Sequence, residues 1–182
     1  MYRKCTTEVS AQNQRKVTAG LLELMQKMPY EEITVTRLCQ SAGVTRRVFY
    51  HLFSGKTDAL HALIDQRILN IEGYRPELQD EMLRFLLYWR EQKPLFDALS
   101  SNNLTDLLLE RMVNCVLDEA FDIRYWLNAY DAETGTDIII FNLCGIMGLT
   151  HSWYQSGYQR TPEEMAHRIS ALVQHPHFSE KH

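Results

Sequence analysis

The chain has little of what disordered, secreted or membrane proteins are built from. Five prolines and eight glycines among 182 residues, with 45% hydrophobic content, exclude a disordered or low-complexity chain. Its four cysteines, Cys5, Cys39, Cys115 and Cys144, share no short paired spacing, which points to buried reduced thiols in a cytosolic protein rather than a disulfide framework. Long apolar runs are absent too. The most apolar stretch, from Ile138 to Leu149, is interrupted by Asn142 and falls short of the roughly 20 residues that span a bilayer. No apolar segment follows Arg3 and Lys4, so neither a secretory signal nor a membrane partner is expected, and the expected location is the cytoplasm. Catalytic signatures are missing: there is no Gly-rich phosphate loop, His-Glu-x-x-His pair, Gly-x-Ser-x-Gly elbow or Cys-x-x-Cys. The chain therefore reads as a non-enzyme with no cofactor and no metal site. His175 and His177, astride Pro176, read as a solvated tail.

A positive net charge is also lacking. Nineteen Lys/Arg stand against 23 Asp/Glu, a formal charge of −4. The distribution is uneven, however. Residues 1–60 hold nine Lys/Arg and five Asp/Glu, +4, and residues 61–182 hold ten and eighteen, −8. A basic head on an acidic body suggests a segment that binds a polyanion.

What the chain does have is helical spacing almost throughout, with no convincing alternation of period two. Val17, Leu21, Leu24, Met25 and Met28 mark one face of a helix closed by Pro29. Short helices are predicted over Val35–Ala42 and Thr45–Leu52, separated by Gly43-Val44, and another over 56–72. Beyond a break at Gly73 and Pro76, helices are predicted near 76–91, 95–101, 104–128, 134–157 and 162–174. The fold class is all-α: a three-helix domain over residues 1–55 and a larger helical domain over 56–182.

The stretch from Ile33 to Leu60 carries the functional signal. Two short helices meet at Gly43, where a residue without Cβ can take positive φ. Thr34 and Thr45 stand at their N-cap positions. Such a helix-turn-helix places its second helix in the DNA major groove. Thr45, Arg46 and Arg47 lie at the start of that helix, where phosphate is favoured and where arginine can bind guanine bidentately. Tyr50 and His51 offer further hydrogen bonds, Lys56 is placed for a backbone phosphate, and Thr34 and Thr36 present hydroxyls. The same geometry also occurs as a packing motif, with its arginines merely solvated.

This stretch resembles the DNA-binding domain of TetR-family transcriptional regulators. The match runs through Tyr30, Thr34-Val35, Leu38, Ala42-Gly43-Val44-Thr45, Phe49-Tyr50, Phe53, Lys56 and Leu60. Leu52 departs from the family's usual His or Tyr, with His51 one position earlier, and Pro29 stands where Gly is frequent. The resemblance implies double-stranded DNA as partner, with Thr34, Thr36, Thr45, Arg46, Arg47, Tyr50, His51 and Lys56 as contacts and Arg47 as base reader.

Farther along, Gly145, Gly148, Trp153, Gly157 and Pro162-Glu163-Glu164-Met165 are similar to a C-terminal domain of a subset of these regulators. There the corresponding helix pair forms a four-helix bundle with its copy. That implies a homodimer on a palindromic operator, with Phe141, Gly145, Gly148, Trp153, Met165 and Ile169 at the interface. The helix over 138–149 is apolar nearly all round and must be covered on several sides, by a monomer core or by a second copy. Dense aromatics (Tyr88, Trp89, Phe96, Phe121, Tyr125, Trp126, Tyr130, Phe141, Trp153, Tyr154) suit core packing or the wall of an effector cavity. The resemblance implies a repressor released by a small-molecule effector. The alternative is an activator or co-regulator whose C-terminal domain binds a protein partner.

Overall fold

The computed structural model describes residues 2, 5, 7–70, 78–118 and 132–173, and every regular element among them is helical. In order these are α1 (Glu8–Met25), a 3₁₀ turn (Tyr30–Glu32), α2 (Val35–Ala42), α3 (Arg46–Leu52), α4 (Lys56–Leu69), α5 (Leu78–Glu91), α6 (Lys93–Ser101), α7 (Thr105–Leu117), α8 (Ala132–Gln155) and α9 (Pro162–Val173). They fall into two compact units. One holds the chain up to Ile68 together with Pro94–Arg111; the other holds Leu69–Lys93 and the chain from Met112 onward. The units are thus cut differently from the functional division at residue 55, since α4, α6 and the first half of α7 pack with the helix-turn-helix.

In the first unit α1 buries Val17, Leu21 and Met25. It ends at Met25, earlier than its apolar spacing suggests, because the amides of Lys27 and Met28 both turn back to the Leu24 carbonyl. Gly20 faces α2 so closely that a Cβ there would lie 3.2 Å from the Ala42 backbone nitrogen. Helix α2 starts at Thr34, whose hydroxyl accepts from the Arg37 amide at 3.2 Å, and stops at Gly43 with φ +63°. Only a residue without Cβ takes that φ without strain. Helix α4 contributes Ala59, Leu60, Leu63, Ile64 and Ile68 to the core. Within that apolar wall, Asp65 accepts a bidentate pair from Arg111 on α7, 2.8 Å to Nε and 2.6 Å to Nη2, and a third bond from the Tyr2 hydroxyl. Three donors on one buried carboxylate offset its loss of water.

In the second unit α5 buries Phe85, Leu86 and Trp89 and packs on α9. The turn between α8 and α9 uses Gly157 and Tyr158, both at positive φ. Trp153 pins it, donating its indole N–H to the Arg160 carbonyl at 2.9 Å with its ring edge-on to Tyr158. At the start of α9, Thr161 accepts from the Glu164 amide while the Thr161 amide donates to Glu164 Oε2, a reciprocal capping box. Pro94 sits inside the first turn of α6 rather than before it, a position where its missing N–H costs no hydrogen bond.

The contact at Gly20 yields a test of opposed effects. Alanine favours a helix over glycine by about 1 kcal/mol, but forcing a methyl against backbone costs about 1–3 kcal/mol. Backbone cannot rotate aside as a side chain can, so Gly20→Ala is expected to destabilise. A thermal melt should show Tm lower by several degrees; a higher Tm would mean that α1 and α2 have room to spare.

Candidate nucleic-acid interface

Helix α3 has two unlike sides. Phe49 and Leu52 are buried, and Phe49 packs its ring 5.4 Å from Phe53. Arg46, Arg47, Tyr50 and His51 are exposed. The helix is started by Thr45, whose hydroxyl accepts from the Val48 amide at 3.2 Å. As cap acceptors, Thr34 and Thr45 each keep their own hydroxyl proton for an outside acceptor. Leu52, the departure noted in the sequence, belongs to the core; the outward place next to it is taken by His51.

The exposed cations differ in what they already hold. Arg46 donates from Nη1 to Thr36 Oγ1 at 3.1 Å, and its guanidinium carbon lies 5.8 Å from the centre of the Tyr50 ring. It therefore ties the start of α2 to α3 and orders Tyr50. Arg47 and His51, one helical turn apart, have no hydrogen-bond or ionic partner among the described residues. Lys56 is heavily engaged: Nζ donates to the carbonyls of Tyr30 at 2.8 Å and Glu31 at 3.0 Å, and lies 4.4 Å from the Tyr30 ring centre. Its side chain is only 23% exposed. The residue expected at a phosphate is, in the first place, a clasp between α4 and the 3₁₀ turn.

Asn102, at the end of α6, closes that turn from the other side. Its Oδ1 accepts from the Tyr30 amide, and its Nδ2 donates to the Ala98 carbonyl at 2.7 Å and the Met25 carbonyl at 3.4 Å. Burial pushes the Tyr30 phenol up, with the Thr57 hydroxyl pulling the other way. Burial also raises the Asp58 carboxyl, but the Ser54 amide bonded to it at 2.9 Å helps bring it net below its ordinary range. Neither Asn102 nor the Asp65–Arg111 pair was found from the sequence. Their partners lie 72 and 46 residues away, and the one available hint was an arginine inside the apolar run of α7.

In the second unit the expected interface residues separate into two groups. Phe141 is 60% exposed, and Gly145 and Gly148 lie exposed along the same stripe of α8. Trp153, Met165 and Ile169 are buried at 3%, 6% and 0% exposure. Their burial is within a single copy, unlike the exposed stripe of α8. Of the aromatics, Trp89 and Phe96 are core, the latter in the first unit. Phe121, Tyr125, Trp126 and Tyr130 lie outside the described residues, as do His175 and His177. Cys39 and Cys115 are buried, whereas Cys5 and Cys144 are only partly so. Among the described residues no three His, Cys, Asp or Glu side chains gather as for a metal, and no helix is long and apolar enough to cross a membrane.

Lys56 and Arg47 should therefore behave oppositely when removed. Charged hydrogen bonds to two carbonyls make Lys56→Met cost about 1–2 kcal/mol of stability. Arg47→Ala, which breaks no hydrogen bond or ion pair among the described residues, should leave stability within about 0.5 kcal/mol. Paired thermal melts read the difference; equal Tm values for the two variants would contradict the clasp.

Comparison with known proteins agrees with this geometry. Residues 17–63 match the family described as bacterial regulatory proteins, tetR family, and residues 77–175 match the one described as transcriptional regulator C-terminal region. Among solved structures the chain is similar to one described as the dihydroxyacetone kinase operon activator DhaS. The identity is 18% and the TM-score 0.58, over 88% of this chain and 93% of that one. It is also similar to a tetR-family transcriptional regulator from Streptomyces coelicolor, at 15% identity and TM-score 0.55, over 90% and 79%. At such identities the likeness is one of fold. Among curated proteins nothing matches significantly.

Proposed function

The chain belongs to the TetR family of bacterial transcriptional regulators, and on that premise we propose that it is a homodimeric repressor, released from a palindromic operator by a small-molecule effector. The observation that carries the reading is the outer side of α3. Four polar side chains are held outward by the burial of Phe49 and Leu52, and Arg47 and His51 among them have no hydrogen-bond or ionic partner among the described residues. In this reading Arg47 reads a base edge, with Tyr50 beside it. Thr34, Thr36, Thr45, Arg46 and His51 bind phosphate, and Lys56 does so with whichever proton its two carbonyls leave over. The local excess of positive charge in residues 1–60 supports the same assignment.

Dimerisation rests on α8. Its exposed stripe of Phe141, Gly145 and Gly148 presents a large apolar ring beside two residues without side chains, which lets a second helix approach closely. Leu172 on α9, 52% exposed, adds a further apolar group in the same unit. Two copies related by a two-fold axis present two α3 helices to two half-sites. An effector releases the operator only by binding the DNA-free arrangement better than the DNA-bound one.

Selection of bound sequences from random duplex DNA, at a stated salt concentration and with sedimentation of the same sample, tests the proposal. Expected are a dimer at micromolar concentration and an imperfect palindrome whose half-sites are centred about one helical turn apart or a multiple of it. A monomer that enriches no sequence would overturn it. A palindrome whose occupancy switches a promoter on would replace the repressor by an activator.

A further inference from the structure

Side chains of α1 and α3 together line an open groove of about 590 Å³, among them Ser10, Asn13, Arg47 and His51. From this we propose that α1 extends the DNA-binding surface, and that the groove seats one backbone phosphate of the duplex, held by Asn13 and Ser10 together with His51. The inference rests on the DNA-binding reading above and adds two residues of α1 that the helix-turn-helix motif does not contain.

Three observations lead there. The polar groups around the groove are hydrogen-bond donors left over by the fold. Asn13, Arg47 and His51 make no hydrogen bond or ion pair with any described residue. Ser10 accepts from Thr7 Oγ1 at 3.0 Å yet keeps its own hydroxyl proton. By contrast Arg46 is committed to Thr36 and Lys56 to two carbonyls. Second, the groove is continuous with the outer side of α3, because Arg47 and His51 belong to both. Third, the chemistry selects the ligand. Beside the apolar Val9, Val48 and Leu52 and the Tyr50 ring, the polar lining supplies an amide N–H, a hydroxyl, an imidazole N–H and a guanidinium, with no carboxylate. That suits an acceptor-only anion carrying several oxygens. A base edge offers donors as well as acceptors. Set beside the helix that reads the bases, the anion within reach is a phosphate of the same duplex.

Asn13 is the residue to vary, since it is neutral, half-buried and outside the recognition helix. Operator and scrambled duplexes are titrated over a range of salt, with a thermal melt of each variant. Asn13→Ala should weaken both duplexes by roughly three- to tenfold without changing the salt slope, because a neutral donor releases no counterion. Asn13→Lys should tighten both and steepen the slope of log K against log salt by about 0.9, one added phosphate contact. Asn13→Glu should weaken both by at least roughly tenfold, as a carboxylate would repel the anion. Wild-type affinity and slope in the folded Lys and Glu variants would overturn the proposal. So would an effect confined to the operator, which would mean a base contact. If the wild type itself binds neither duplex at low salt, the DNA-binding reading fails instead.

Discussion

Seven residues do not make a stable helix in water, where roughly 12–15 are needed even with favourable composition. Helix α3 exists because Phe49 and Leu52 are buried in the first unit and because Thr45 caps its start. This dependence fixes the remaining side chains. With 49 and 52 inward, 46, 47, 50 and 51 have nowhere to point but out. The polarity of the proposed DNA face is thus a consequence of core packing, and its precision is inherited from that core.

The same logic extends to the entry of α2. The 3₁₀ turn at Tyr30 has no core of its own, yet it sets where Thr34 begins the helix. It is held on its carbonyls by Lys56 from α4 and on its amide by Asn102 from α6. Asp65 and Arg111 tie α4 to α7 one helical turn from the point where α4 leaves the unit. Residues 94–111 therefore belong physically with the helix-turn-helix, although the chain on both sides of them belongs to the other unit. A change in α6 or α7 would reach the turn through Asn102 and α4 through Arg111.

Much of this was legible in the residues. The all-α class, the bounds of α2 and α3, the caps at Thr34 and Thr45 and the turn at Gly43 are local properties, set by spacing and short-range hydrogen bonds. What escaped depends on residues far apart in sequence. The extent of the first unit past residue 55 rests on α4 packing and on Asn102 and Arg111. Nothing in the order of residues announces those contacts. Lys56 illustrates the limit differently: its place in the motif was visible, but its two carbonyl partners exist only once the 3₁₀ turn is folded. On α8 and α9, helical spacing identifies apolar positions without telling an inner face from an outer one. Trp153, Met165 and Ile169 are buried within one copy while Phe141 is exposed, a difference that apolar spacing alone does not carry.

The charge of the chain states the central claim in its simplest form. A net −4 conceals +4 over residues 1–60 and −8 over the rest, so a polyanion should be admitted at one surface and repelled elsewhere. Hydrogen exchange of the full chain, with and without a selected duplex, tests this most directly. Slowed exchange is expected to concentrate over residues 34–56, with α8 and α9 unchanged. Slowing confined to 132–173, with 34–56 unaffected, would contradict it.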